Sequence, residues 1–554
     1  MTSTPARYIV GIDLGTTNTV VAYVDMTDAP DSIRLFEIEQ FVAPGELKAL
    51  PMLPSLRYHP APGELPEDLL NVPGHTRESN DTGQAVFGYF ARQHSSKVEG
   101  RAVISAKSWL SHPSVDRTAA ILPWGADDGV PKVSPVVASA SYLVYVRDAW
   151  NKQHPEHPLA QQEVVLTVPA SFDESARALT LKAAKQAGLQ QLRLLEEPQA
   201  VCYDWLHRHA QQIAGKLSSS KLLLVCDVGG GTTDLTLIKI RHSADGVPEL
   251  TRIGVGDHLM LGGDNIDLAL AHRAEQQLQQ DNKKLSTTAF SQLVQQCCLA
   301  KERLLAEDGP EKTSVTLLGS GTRLMGGALS LELKADEVRQ LVLDGFLPQV
   351  NISDAPRTKR SALVEFGLPY AADAAITRHI AAFLLRHQRV CVEALGLAEH
   401  ELAIPDTLLL NGGFFNSAVV VQALIAQLQE WRAGPVNLLD NPHPDLAVAY
   451  GAVASGLAQR GLQSKIGGGS ARSYFLLIDK ANAQALCLLP RASEENQFFS
   501  LDQSFLLTLD APVQFELAST TRDDIYLPGQ LLTLDEDFPV LPPLMTVMKK
   551  RGSL

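Results

Sequence analysis

The pattern that most constrains this chain occurs twice. Residues 8–24 read Tyr8-Ile9-Val10-Gly11-Ile12-Asp13-Leu14-Gly15-Thr16-Thr17-Asn18-Thr19-Val20-Val21-Ala22-Tyr23-Val24, which is an apolar β-rich run, an Asp, a Gly/Thr turn and a second β-rich run. Residues 222–238 repeat the layout as Leu222-Leu223-Leu224-Val225-Cys226-Asp227-Val228-Gly229-Gly230-Gly231-Thr232-Thr233-Asp234-Leu235-Thr236-Leu237-Ile238. Each predicts a β-hairpin closed by a tight turn. The recurrence so far downstream implies a duplicated lobe, with two turns facing one another across a cleft.

A Gly-rich turn lets backbone N–H groups approach phosphate oxygens, because no Cβ intrudes, and adjacent Thr hydroxyls add donors. One isolated Gly-Thr turn would be no more than the bend a hairpin needs; two matched copies set a shared phosphate site beside that reading. Asp13 and Asp227, which end the two first strands, are placed to hold Mg²⁺ through its water shell, since Mg²⁺ dehydrates reluctantly and bridges carboxylates to phosphates.

Between the repeats, residues 163–169 predict a buried strand, and Asp173 caps a helix running to Ala187 and stopping at Gly188. A strand followed by a capped helix favours an α/β architecture. Residues 44–83, rich in Pro, Gly, Asn and Asp, predict a long surface loop. Joints are expected at 214–221, 353–361 and 463–473, the last containing Gly467-Gly468-Gly469-Ser470. Ile376, Ile380, Phe383, Leu384 and Cys391 recur at near-helical spacing, which predicts one amphipathic helix over 373–393. From 474 to 534, the short apolar runs Phe475-Leu476-Leu477-Ile478, Phe505-Leu506-Leu507-Thr508-Leu509 and Val513-Gln514-Phe515-Glu516-Leu517 predict a small β domain, which reads as continuing after Asp535.

A chain of 554 residues exceeds one hydrophobic core, so several structural units are expected. Acidic residues outnumber basic ones by 62 to 48, for a formal charge of -14, which repels nucleic acid unless a basic face intervenes. The clusters Arg357, Lys359, Arg360 and Lys549, Lys550, Arg551 read as solvated loop and tail charges, so no nucleic-acid partner is expected. Cys202, Cys226, Cys297, Cys298, Cys391 and Cys487 lack the paired spacings of a zinc site or redox dithiol and read as buried thiols. The N-terminus has no charged-then-apolar signal pattern, and Pro and charges interrupt every apolar run, so a cytoplasmic location without a membrane partner is expected.

Several motifs together resemble the 70-kDa heat-shock (DnaK-type) family. Asp13-Leu14-Gly15-Thr16-Thr17-Asn18 resembles its first phosphate motif, and Asp227-Val228-Gly229-Gly230-Gly231-Thr232-Thr233-Asp234 its second. Val168-Pro169-Ala170-Ser171-Phe172-Asp173, followed by Arg177, resembles the crossing segment between lobes, and Glu196-Glu197-Pro198-Gln199-Ala200 the connecting motif. Leu261-Gly262-Gly263-Asp264-Asn265-Ile266-Asp267, Leu410-Asn411-Gly412-Gly413 and Pro444-Asp445-Leu446-Ala447-Val448-Ala449-Tyr450-Gly451-Ala452 complete the set in the family's order. The resemblance covers residues 8–456.

The resemblance implies an α/β, actin-like ATPase fold with two duplicated lobes, whose inner domains are ribonuclease H-like, at 1–212 and 213–460, the second with an inserted segment near 353–387. A linker at 461–473 and a β-rich C-terminal domain at 474–554 follow. It implies ATP and ADP as ligands, Mg²⁺ as cofactor and slow hydrolysis of ATP to ADP and phosphate. By position, Asp13, Glu197 and Asp227 would organise the hydrated metal, while Gly15, Thr16, Thr17, Asn18, Gly229, Gly230, Gly231 and Thr232 would cradle the β and γ phosphates. Lys107, within Ala106-Lys107-Ser108-Trp109-Leu110, resembles the catalytic lysine that orients the attacking water and offsets charge on the γ phosphoryl group; taken alone it would read as a solvated helix lysine. Glu197 precedes Pro198, which favours an extended or turn conformation that can project the carboxylate into a cleft. Asp173 and Arg177 would relay lobe closure to another domain, with Pro169 as switch point. Lys301, Gly412, Gly413, Phe414, Asn416 and Asp445 would form the nucleoside end.

The chain also departs from the family. Gly412-Gly413 is followed by Phe414-Phe415-Asn416 rather than a Ser and an Arg, which leaves Phe to stack on the base. Cys298 and Glu302 stand where an acidic and a basic residue are usual. Residues 463–472 are polar and Gly-rich where the family has a short acidic, leucine-rich linker. The segment containing Phe366-Gly367-Leu368-Pro369-Tyr370 reads as an outer-lobe extension. The resemblance implies an unfolded-protein or peptide client and a co-chaperone as partners. Two other readings of the same fold are a nucleotide-sensing module with little turnover, and a filament-forming protein or sugar kinase.

Overall fold

The computed structural model describes residues 6–28, 32–70, 84–98, 100–243, 248–278, 285–317, 329–357, 367–470, 472–480, 482–491, 493, 497–505, 512–522, 524–535, 538 and 540–547. Both sequence repeats are hairpins. Tyr8–Leu14 pairs antiparallel with Asn18–Asp25, from Tyr8↔Asp25 to Leu14↔Thr19, and Leu222–Val228 pairs with Thr233–His242, from Leu222↔Lys239 to Val228↔Thr233. Their first strands are apolar along almost every position because both faces of each sheet are covered.

Each hairpin is extended in the same way. Glu163–Val168 and then Leu192–Glu196 run parallel beside the first, and Thr407–Asn411 and then Asn437–Leu439 run parallel beside the second. On the opposite flanks, Arg34–Leu35 and Pro248–Val255 pair antiparallel with the second strand of each hairpin. The two sheets therefore share one strand order, and the chain is α/β with several sheets.

Parallel neighbours need crossovers, supplied by the helices Glu174–Gln186 and Ala418–Arg432. The first is capped by Asp173, whose carboxylate accepts the Ala176 N–H at 2.7 Å, and it stops ahead of Gly188 at φ +82°. Two further helices cross between the sheets. Glu197–Arg208 follows the first sheet but packs Ala200, Val201 and Trp205 on Leu223, Val225 and Ile238 of the second; Ala447–Gln459 follows the second but packs Ala449, Val453 and Leu457 on Ile9, Val20 and Ala22 of the first. This crossed pair packs each lobe's helix on the other lobe's sheet.

Three expectations change. The stretch from 44 onward is not a loop: Glu46–Leu50 pairs with Ile38–Ala43, Met52–Pro54 joins the first sheet, and Arg57–Tyr58 lies between Val86–Phe87 and Ala102–Val103. Leu53 and Tyr58 are fully buried; the prolines at 51 and 54 fall at strand ends, where a missing N–H costs little. Residues 71–83 lie outside the described part. The single helix expected over 373–393 is two, Ile376–Arg386 and Gln388–Leu395, broken at His387 with φ -102° and ψ 19°. The apolar stripe continues across the break because the face, rather than the axis, is what the core requires.

The third change concerns 463–473, which is docked rather than a free tether. Gly467 forms a parallel bridge with Thr251, the Arg252 guanidinium bonds the Gly469 carbonyl, and Arg472 donates to the Ser171 carbonyl at 3.1 Å. A five-stranded antiparallel sheet follows, built from Ser473–Asp479, Gln484–Leu489, Pro512–Thr520, Leu531–Thr533 and Val540–Val547 around Phe475, Cys487, Ala518 and Phe538. The apolar runs at 475–478 and 513–517 lie in its strands, whereas Phe505 lies in none and 506–509 fall outside the described residues. Tyr474 Oη, on its first strand, donates to Glu174 at 2.6 Å. All six thiols are free. Among the described residues, no helix is long and apolar enough to cross a membrane.

Candidate functional site

The two hairpin turns touch. A Cβ on Gly230 would overlap Thr17 Oγ1, and one on Gly231 would meet Thr16 Cγ2 at 3.0 Å as well as Ser108 Oγ, so only glycine admits this approach. The second turn is closed by the Gly229 N–H on the Thr232 carbonyl at 3.0 Å. It is backed by the helix Gly263–Leu278, whose Gly263 and Asp264 N–H groups bond the carbonyls of Gly229 and Gly230 at 3.0 and 2.7 Å.

One cleft opens beside this contact. Its walls include Asp13, Gly15, Thr16, Thr17, Asn18, Lys107, Glu197, Asp227, Gly229, Gly230, Thr232, Lys301, Gly412, Gly413, Phe414, Asn416 and Asp445. Of the expected site residues, Gly231 alone is not on that wall and packs instead against Thr16 and Ser108.

The floor is crowded with charge. Buried Lys107 donates to Glu197 Oε1, Asp13 accepts the Thr167 hydroxyl at 3.0 Å, and Asp227 lies opposite Asp234 in register and beside Asn411. Burial pushes the Glu197 carboxyl up to about 8, Lys107 opposing and the charges of Asp13 and Asp227 adding. Burial and then Asp234 push Asp227 up to about 7, and burial also raises Asp13 against the pull of Lys107. Burial lowers the Lys107 pKa, but the Glu197 and Asp13 charges outweigh it, so the ammonium stays charged.

Several carboxylates around one lysine make a pocket short of positive charge, and their hard oxygens suit Mg²⁺. Among the described residues, no group of three or more His, Cys, Asp or Glu converges to hold a bare ion.

At the other end of the cleft, Lys301 lies 2.7 Å from Asp267 Oδ1 and donates to the Gly263 carbonyl at 3.0 Å, and Asn416 Nδ2 donates to Asp445 at 2.7 Å. Phe414 faces the cleft while Phe415 enters the second core, the two rings edge to face at 5.3 Å. Sequence reasoning missed Arg92, on the helix Gly88–Ser95, which reaches across the cleft to both Glu302 oxygens at 2.6 and 2.7 Å and to Cys298 Sγ at 3.6 Å. The acidic Glu302 is thus met by a basic residue from the other lobe, 210 positions away and in no motif that could have flagged it.

Behind the cleft, the crossing segment ties both lobes. Ser171 N–H donates to Asp234 at 3.0 Å, Ser171 Oγ lies 2.8 Å from His258 Nδ1, and His258 Nε2 lies 2.8 Å from Ser111 Oγ. Arg177 reaches Glu196 at 2.8 Å.

The sequence also matches known proteins. A family model described as Hsp70 protein matches residues 126–346. The chain is 31% identical over 356 residues to the chaperone protein HscA homolog of Ralstonia nicotianae, covering 62% of this chain and 48% of that one. It is 32% identical over 322 residues to the HscA homolog of Pseudomonas aeruginosa, covering 54% and 42%. The HscA homolog of Ralstonia pickettii is 31% identical over 372 residues, covering 64% and 49%. The chain spans about half the length of the curated relatives it matches. The family model and these relatives fall on a chain whose motifs occur in the family's own order, and together they support a member of the heat-shock protein 70 family.

Proposed function

We propose that this chain binds Mg-ATP, hydrolyses it slowly to ADP and phosphate, and uses the resulting lobe movement to control a client, as a chaperone-type switch. The observation that carries this reading is the contact of two glycine turns above a buried Lys107–Glu197 pair.

In this reading, Thr16 and Thr17 of one turn and Gly229 to Thr232 of the other hold the β and γ phosphates from opposite walls. Asp13, Glu197 and Asp227 would hold the hydrated Mg²⁺, which when bound would neutralise phosphate charge. Lys107, steadied by Glu197, orients a water toward the γ phosphorus; the bond to the bridging oxygen breaks, leaving ADP and phosphate, and the ammonium offsets charge developing on the transferred group. Lys301, Asn416, Asp445 and Phe414 serve the nucleoside. The five-stranded sheet after 473 is the candidate client-binding domain, for unfolded protein or an extended peptide, with a co-chaperone as a further partner and the cytoplasm as location.

Single-turnover hydrolysis tests the reading. Lys107→Ala and Thr232→Ala are expected to slow phosphate formation by about a hundredfold while ATP still binds; equal hydrolysis by wild type and Lys107→Ala would remove the assigned role. A second reading, a nucleotide sensor with little turnover, is favoured by the ion pairs that already engage Arg92 and Lys301 at the nucleoside end. Calorimetric binding of ATP and ADP without measurable hydrolysis would select it.

A further inference from the structure

We propose that residues 367–371 form an inter-lobe strap that positions the turn bearing Lys107 and resists opening of the cleft. At its far end, the Ala371 N–H bonds the Met260 carbonyl at 3.1 Å, and Asp373 accepts the Ala375 N–H at 3.0 Å and pairs with Arg378 at the start of the helix Ile376–Arg386. Ahead of these anchors, residues 367–370 lie on the first lobe.

Leu368 is 4% exposed and belongs to the first lobe's core, alongside Trp109 and Leu122. Gly367, at φ +77°, sits so close to two indoles that a Cβ would lie 2.6 Å from Trp124 and 2.7 Å from Trp109. Its carbonyl accepts from His112 Nε2 at 2.6 Å, and the His112 ring stacks on Trp109 at 5.2 Å. Tyr370 packs against the cores of both lobes.

The contact matters because of what Trp109 carries. Lys107 sits on a single helical turn, Ala106–Trp109, far too short to be stable unaided. That turn begins at Ser105, a non-glycine residue at φ +51°, whose hydroxyl donates to Asp264 of the second lobe at 2.7 Å. Besides Glu197 and the core of its own lobe, the Lys107 turn thus has two supports from the opposite lobe, Asp264 at its start and the strap at its end. If the lobes part, Leu368 leaves a packed core and the turn loses both supports together. His112, Gly367 and Leu368 are positioning residues, acting on Lys107 through Trp109.

The consequence for turnover rests on the ATPase reading, whereas the strap itself does not. In the full chain, Leu368→Ala is expected to release fluorescent ADP about tenfold faster and to slow single-turnover hydrolysis about tenfold. Leu368→Met, which keeps the volume, should restore both to within about twofold. Wild-type release and hydrolysis in a folded Leu368→Ala protein would overturn the proposal. Should the wild type bind no nucleotide, the ATPase reading fails and the strap is judged by amide exchange over 105–112: faster exchange in Leu368→Ala supports it, and unchanged exchange overturns it. If Leu368→Ala does not fold, His112→Ala, which removes the bond to Gly367 and the stack on Trp109, carries the same measurements.

Discussion

Glu196 and Glu197 are neighbours in the chain, yet their carboxylates serve different partners: Glu197 takes the Lys107 ammonium in the cleft, while Glu196 is held by Arg177 at 2.8 Å and by Arg252. Arg252 bonds the Gly469 carbonyl as well, so a polar chain runs from the catalytic candidate Lys107 through two adjacent residues to the docked segment that leads into the last sheet. Such a connected network transmits a displacement only while every member is paired.

That pairing gives the first prediction. Glu196 and Arg252 are both buried, and removing one partner leaves buried guanidinium charge uncompensated. Glu196→Ala is expected to cost about 3–5 kcal/mol of stability in denaturant unfolding and to speed proteolysis within 463–473. A variant within about 1 kcal/mol of wild type would show that the network has no such energetic weight.

The pair across the cleft mouth predicts a smaller effect. Arg92 is mostly shielded, but Glu302 is 45% exposed, so the bond is worth about 0.2–1 kcal/mol. Arg92→Ala should release ADP at most about fivefold faster at low salt, and the difference should vanish near 1 M salt, where screening is short-ranged. A salt-independent difference would point to lost packing instead of lost charge.

These contacts also mark where the sequence could and could not be read. The hairpins, the Asp173 cap and the stop at Gly188 are local patterns, and each is carried by residues a few positions apart. Arg92, Arg252 and His112 acquire meaning only from partners 210, 56 and 255 positions away, which no local period encodes. The loop reading at 44–58 fails because prolines at strand ends look the same in sequence as prolines in a loop. The break at His387 escapes because helical spacing reports which face is apolar and says nothing of whether the axis is continuous.

The contact between turns predicts a suppressor. Gly230→Ala drives a methyl group into Thr17 Oγ1 and should force the turns apart, weakening ATP binding by about tenfold or more. Thr17→Ala removes the obstructing hydroxyl, so the double variant should bind more tightly than Gly230→Ala alone, measured by calorimetry. Strict additivity of the two changes would argue that the turns do not meet in solution.

His387 yields the pH dependence. It is fully buried at the break between two helices, and burial, reinforced by Arg491 and Arg386 and opposed by Asp257, lowers its pKa to about 4. The folded protein therefore holds the neutral ring, while the unfolded chain takes up a proton near the ordinary histidine value of about 6.5. Its contribution is fully present above that value and is lost as pH falls from about 6.5 toward 4, amounting to about 3 kcal/mol over the whole window. Between pH 7 and pH 5, the wild type should lose about 2 kcal/mol more denaturant stability than His387→Leu, whose side chain cannot titrate. Parallel losses in the two proteins would mean that the ring finds a proton-accepting partner when the fold is intact, and that the acid sensitivity of this fold arises elsewhere.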